Sequence, residues 1–204
     1  MYKYPVIIFE GIEASGKSTN VENVSKFLNK INRRFVKIRE PGGSKNSEKI
    51  RKLILDKNST FNKKTDLLLL LASRSENIEK ILKKNYKKKI ILIDRFTDST
   101  IAYQHFGMRL KLKLIEIINN YIIENFKPNI TFLSIVNEKN MRRRLKLRNN
   151  INKYDNFRYS FYSKVQRGFL KLSKKNKKYI ILDSNNNSSN EIKEILINKI
   201  KKII

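Results

Sequence analysis

The stretch Gly11-Ile12-Glu13-Ala14-Ser15-Gly16-Lys17-Ser18 constrains this chain most, because it fits G-x-x-x-x-G-K-[ST] between an apolar run, Pro5–Phe9, and a helical pattern that opens at about Lys17. Two glycines at that spacing let backbone N–H groups turn inward, beside a helix N-terminus that favours negative charge. Such a loop cradles phosphates. Lys17 is placed to bridge the terminal phosphates and Ser18 to offer a hydroxyl to Mg²⁺, with Thr19 next to them on the same turn. Lys17 is expected to face solvent, so that its replacement would open no core cavity.

The rest of the chain alternates apolar strand-like runs with helical patterns, as parallel α/β sheets do. Strands are expected at Pro5–Phe9, Phe35–Arg39, Ile90–Asp94, Ile130–Val136 and Tyr179–Leu182. Val21, Val24, Leu28 and Ile31 recur at helical spacing after the first strand. Ser44 is placed to cap a helix running through Leu55. Thr65–Leu82 reads as one long helix whose Leu67–Leu71 run is apolar all round, so burial on every side is expected. Asn190–Ile203 reads as a closing helix. No repeat or linker divides the chain, and one domain over residues 1–204 is expected.

The absence of Cys and the single His, His105, argue against a disulfide framework or a zinc centre. The apolar runs are too short to cross a bilayer, no signal-like stretch precedes Val6, and a cytoplasmic protein is expected. Lys and Arg number 46 against 18 Asp and Glu, a formal charge of +28. Nucleic-acid binding would be one use for such charge. Here Lys is scattered over nearly every surface segment, with Asn and Ile over-used alongside it, which reads as drift toward A/T-rich codons. A nucleic-acid partner is therefore not expected, and the field serves to draw in anionic nucleotides.

Further candidates lie at strand ends. Asp94 closes Ile-Leu-Ile-Asp94, where a carboxylate can hold Mg²⁺ through water, and Arg95 beside it can grip an acceptor phosphate with a bidentate fork. Arg39 precedes Glu40-Pro41-Gly42-Gly43 at the edge where open α/β sheets collect ligands. Arg142–Asn156 is polar and basic without clear periodicity and reads as a mobile loop, with Arg142, Arg143 and Arg144 on an exposed helical stretch. Arg148 and Lys153 are its candidates for neutralising charge on a transferred phosphoryl group.

In order, Phe9-Glu-Gly-Ile-Glu-Ala-Ser-Gly-Lys-Ser18, Arg39-Glu-Pro-Gly-Gly43, Ala72-Ser-Arg74 and Asp94-Arg-Phe-Thr-Asp-Ser-Thr-Ile-Ala-Tyr-Gln104 resemble the thymidylate kinases, P-loop nucleoside monophosphate kinases. The resemblance runs from Val6 to the last helix. It implies a three-layer α/β/α P-loop fold with a five-stranded parallel sheet and a short lid at about 148–156. It also implies a homodimer and transfer of the γ-phosphoryl of ATP to dTMP with Mg²⁺.

Residue by residue, the resemblance implies Glu13 at the deoxyribose 3′-hydroxyl and Arg95 at the thymidylate phosphate, with Arg39 and Arg51 nearby. Arg74 and Gln104 would meet the thymine edge, Tyr103 the sugar's 2′ position, and Ser99 and Thr100 the same pocket. Ile12 to Ser15 include no cation, so the lid must supply one. There Asn152-Lys153-Tyr154-Asp155 aligns with the family's lid block, with Lys153 where Arg is usual, and Leu70 replaces the usual stacking Phe. Two alternatives stay open at this point: another (deoxy)nucleotide kinase, or a P-loop ATPase associated with nucleic acid.

Overall fold

The computed structural model describes residues 2–148 and 152–204. Its strands are β1 (Val6–Gly11), β2 (Phe35–Arg39), β3 (Ile90–Asp94), β4 (Ile130–Ile135) and β5 (Tyr179–Asp183). They pair in parallel in the order β2-β3-β1-β4-β5, so β1 is central. β1 is buried throughout and β3 up to Asp94, as strands covered on both faces must be. Alternation divides their side chains between the two layers. Ile7, Phe9, Ile90 and Leu92 point to one face, and Val6, Ile8, Ile91 and Ile93 to the other.

The first face is covered by α1 (Lys17–Lys30) and α9 (Ser189–Lys201), through Val21, Val24 and Leu28 and through Ile192, Leu196 and Ile200. Ile31 falls just past α1 and is exposed. α2 (Lys45–Leu55) starts at Ser44, whose hydroxyl accepts the Ser47 amide at 3.2 Å. α3 (Lys63–Asn77) continues through a π-turn, Ile78–Leu82, into the short α4 (Lys83–Asn85). α5 (Thr97–Thr100) likewise runs into a π-turn, Ile101–Gly107, followed by α6 (Leu112–Ile123). α7 (Glu138–Lys146), a 3₁₀ turn at Lys153–Asn156 and α8 (Tyr159–Lys174) precede β5.

Two expectations need correction. The leucine run is not buried all round: Leu67 and Leu71 pack on Ile115 of α6, but Leu68 is 59% exposed. Consecutive residues advance about 100° around a helix, so five leucines cover its whole circumference while neighbours cover only part of it. Arg142–Asn156 is also not one mobile loop. Asn137 caps α7 by accepting the Asn140 amide, and Arg143, Arg144 and Lys146 complement the negative dipole end in its last turn. The lid expected at 148–156 includes 149–151, which lie outside the described residues. Its far side is the 3₁₀ turn, where Asn152 and Asp155 form a reciprocal capping box.

Register brings the carboxyl ends together. Phe9 and Arg39 both pair with Asp94, and Gly11 with Ser134, so the loops after β1, β2 and β3 open onto one edge.

Candidate active site

The loop between β1 and α1 is shaped by close backbone approach. A Cβ on Gly11, at φ 142°, would lie 2.3 Å from the Ser134 carbonyl oxygen, so only glycine fits there. Gly16 lies at φ 96°, and even Ala14 takes the left-handed region, at φ 55°. Asn20 anchors the helix side by donating to the Ser134 hydroxyl at 3.1 Å.

Lys17 is not solvent-facing as expected. It is 7% exposed, folded under the loop with Nζ donating to the Ile12 carbonyl at 2.7 Å. Burial first, and Arg95 second, push its pKa down to about 7, against Asp94, Glu13 and Glu10. Ile12 is fully buried and Thr19 is exposed on the first turn of α1.

Ser18 donates its hydroxyl to Asp94 Oδ2 at 3.1 Å, while Asp94 Oδ1 is buried without a partner. A hydroxyl and an under-coordinated carboxylate are hard oxygen donors, and they fit Mg²⁺ that takes its other ligands from phosphates and water. Among the described residues no group of three or more His, Cys, Asp or Glu forms a metal cage.

Arg95 stands across the cleft at φ 69°. Its guanidinium donates to the Gly11 carbonyl at 2.9 Å, Glu13 Oε1 at 2.8 Å and the Ser99 hydroxyl at 3.4 Å, and lies 5.0 Å from the Tyr103 ring centroid. The Tyr103 hydroxyl donates to the other Glu13 oxygen. Burial opposes the Arg95 charge, but Tyr103, Glu13, Asp94 and Glu10 outweigh it and hold the pKa above its ordinary value.

Beneath this cluster lies Glu10, which the sequence reading passed over. It accepts the Phe96 and Ser99 amides at 2.9 and 3.2 Å and the Ser99 hydroxyl at 2.5 Å, fixing the turn that carries Arg95. Burial, reinforced by Asp98, pushes its pKa up to about 8 against the Ser99 and Phe96 hydrogen bonds. The signal was a single carboxylate ending Val-Ile-Ile-Phe-Glu10, an otherwise apolar strand.

At the inner end, Arg74 is 2% exposed and donates to Glu40 at 2.8 Å and Thr100 at 3.0 Å. Gln104 is also buried, with its amide nitrogen unpartnered, and Leu70 lines the same wall half-buried. At the outer end, Arg39 pairs loosely with Glu48 at 3.4 Å while Arg51 donates to the Pro41 carbonyl at 2.5 Å.

The two lid cations separate. Arg148 lines the cleft and pairs with Asp155 at 2.8 Å. Lys153 instead reaches α3, where it binds Asp66 at 2.8 and 3.2 Å. Arg144, expected to be exposed, is half-buried. It donates to the Ala14 carbonyl at 3.1 Å and to the hydroxyl and carbonyl of Ser184, both at 3.0 Å. It thus backs the phosphate loop from behind, because the loop after β5 brings acceptors that a local reading cannot see.

The cleft therefore joins a buried phosphate-loop lysine to a second cation and to polar groups suited to a nucleotide, which defines a P-loop nucleotide kinase. Residues 9–195 match the sequence profile of the thymidylate kinase family. The chain belongs to that family of nucleoside monophosphate kinases, which catalyse phosphoryl transfer. It is 37% identical over 190 residues to the thymidylate kinase of Thermosipho africanus, covering 93% of this chain and 94% of that one. It is 36% identical over 200 residues to that of Acholeplasma laidlawii, covering 96% and 98%. A crystal structure of thymidylate kinase from Ehrlichia chaffeensis superposes with a TM-score of 0.79 at 31% identity, over 97% of this chain and 98% of that one. The matches favour neither alternative left open by the sequence. No helix among the described residues is long and apolar enough to cross a membrane.

Proposed function

We propose that the chain transfers the γ-phosphoryl of ATP to dTMP, giving dTDP and ADP, with Mg²⁺, in the cytoplasm. The observation that carries this reading is the joint presentation of Arg95, Glu13 and Tyr103 in front of the buried Lys17. The acceptor of such a transfer is already an anion, so the protein supplies position and charge rather than a general base. Lys17 leaves the Ile12 carbonyl for the terminal phosphates of ATP. Arg95 turns its fork to the acceptor phosphate, with Arg39 and Arg51 at the cleft mouth. Glu13 takes the 3′-hydroxyl, Tyr103 closes the space a 2′-hydroxyl would need, and Ser99 and Thr100 hold Arg95 and Arg74 in place. Arg74 and Gln104 meet the base edge over Leu70. Ser18 and Asp94 would hold Mg²⁺, which would supply neutralisation of phosphate charge.

Measuring ADP release with dTMP, dUMP, dCMP, dGMP or UMP as acceptor tests this directly. The highest kcat/KM is expected with dTMP. ATP hydrolysis stimulated by DNA and indifferent to dTMP would overturn the reading.

The lid cation is assigned to Arg148, supported by its place on the cleft wall. Arg148→Ala is expected to lower kcat by about 10²-fold with a smaller rise in the KM for dTMP, as for an interaction made mainly in the transition state. Lys153 contributes by holding the lid turn on Asp66, so Lys153→Ala should cost less and Lys153→Arg should retain activity. Single-turnover rates separate this from slow product release. Normal turnover by Arg148→Ala would move the cation elsewhere.

The homodimer reading is supported by the outer faces of α3 and α6. Leu68, Leu114, Ile117 and Tyr121 are 59%, 51%, 55% and 82% exposed, more apolar surface than two solvated helices ordinarily carry. Sedimentation at micromolar concentration should give twice the chain mass, and Ile117→Glu should halve it.

A further inference from the structure

We infer that Asn119, on the inner face of α6, is a positioning residue that sets which substrate base Arg74 accepts. Arg74 has five N–H donors. The Nε donor goes to Glu40 at 2.8 Å, and the two on Nη1 go to Thr100 Oγ1 at 3.0 Å and Asn119 Oδ1 at 2.6 Å. Only the Nη2 pair has no protein acceptor among the described residues, and Arg74 lines the cleft. The guanidinium is thus held at Nε and Nη1 by groups from three elements: the loop after β2, α5 and α6. The Phe96 ring, 5.3 Å from its central carbon, supports its plane.

Asn119 is 3% exposed and stands behind Arg74, outside the cleft wall. Its amide nitrogen is buried without a partner, so its side chain's one hydrogen bond among the described residues is the contact to Arg74. A buried amide with one half unpaired stabilises a helix contact poorly compared with an apolar residue of the same shape. What its oxygen does is fix the rotation of the guanidinium.

That rotation matters because Nη2 can only donate. A pyrimidine with a carbonyl at C4 offers it an acceptor, whereas the exocyclic amino group of cytosine offers a second donor. Recognition by a fixed polar group discriminates by leaving the wrong partner unpaired, and a guanidinium free to swing loses that discrimination. The inference rests on the dTMP reading above and deepens it.

The test compares dTMP with dCMP as acceptor in wild-type, Asn119→Leu, Asn119→Ala and Asn119→Asp proteins, with folding followed by circular dichroism. The Leu and Ala variants should raise the KM for dTMP by about 10-fold at nearly constant kcat and lower the dTMP-to-dCMP ratio of kcat/KM by about 10-fold, as loss of one oriented hydrogen bond does. Asn119→Asp keeps the acceptor oxygen and should hold both values within about 3-fold of wild type. A folded Leu or Ala variant with an unchanged ratio overturns the inference, as does an Asp variant that loses as much as they do. If the wild-type protein itself shows no preference for dTMP over dCMP, the dTMP reading fails first and the inference falls with it.

Discussion

Replacing Lys17 by methionine should lower kcat/KM by about 10³-fold while leaving a folded protein, on the scale seen when a group that meets transition-state charge is removed. Methionine matches the length of the stem, which is buried under the loop, and removes only the ammonium that donates to the Ile12 carbonyl at 2.7 Å. The same residue should give binding a pH signature. Its pKa is pushed down to about 7, chiefly by burial, so below that pH the side chain is already charged and above it the proton is lost. ATP phosphates favour the charged form. Binding should therefore take up close to one proton at pH 8 and little at pH 6, and affinity should weaken as pH rises through 7. Calorimetric titration in two buffers of different ionisation enthalpy measures the uptake, which should vanish in Lys17→Met. Uptake that persists in the variant would assign it to another group, and near-normal turnover would sink the ATP-site assignment.

The second large effect is expected at Arg95. Arg95→Ala should lower kcat/KM for dTMP by about 10³-fold, and Arg95→Lys should recover little, because a point charge cannot reproduce a planar fork across Gly11 and Glu13. The variant has a structural cost as well. Glu13 would keep its largely buried carboxylate with only the Tyr103 hydroxyl for a partner, a loss of about 1–3 kcal/mol. Combining Arg95→Ala with Glu13→Gln, which removes the unpaired charge yet keeps a carbonyl acceptor for the 3′-hydroxyl, separates the two roles. The double variant should regain part of the melting temperature without regaining activity. Activity that returns with stability would mean that Arg95 acts by holding the loop and not by gripping the acceptor.

Much of the architecture was legible because it is written in local patterns. Phe35–Arg39 and Ile90–Asp94 form the strands their apolar runs announced, and Ser44 caps the helix it was placed to cap. The phosphate loop was legible for the same reason, since its glycines, lysine and hydroxyl are contiguous. What escaped depends on partners far along the chain. Nothing near Lys153 announces Asp66, nothing near Arg144 announces Ala14 and Ser184, and Asn119 gains its meaning from Arg74. The depth of Lys17 was missed because the pattern fixes which residue stands under the loop, not how closely the loop folds over it. The exposure of Leu68 shows the complementary limit: a run apolar on every side does not say which side the rest of the chain leaves open.

The bridge from Arg144 to Ala14 and Ser184 also bears on how the enzyme is made. The phosphate loop is made well before its rear support, attached to the strand that becomes the centre of the sheet. Its rear support waits for Ser184, whose amide docks on the Ile135 carbonyl at 3.1 Å. The interval from residue 14 to 184 is 170 residues, on the order of ten seconds of synthesis at ordinary elongation rates. β1 lacks both neighbours until β3 is made and lacks β4 until Ile135, and over that stretch it presents an apolar strand with open edges. The rear support of the phosphate loop closes only once Ser184 has been made, so ribosome-bound chains that stop short of Ser184 should be retained on an ATP resin less than chains that extend past it.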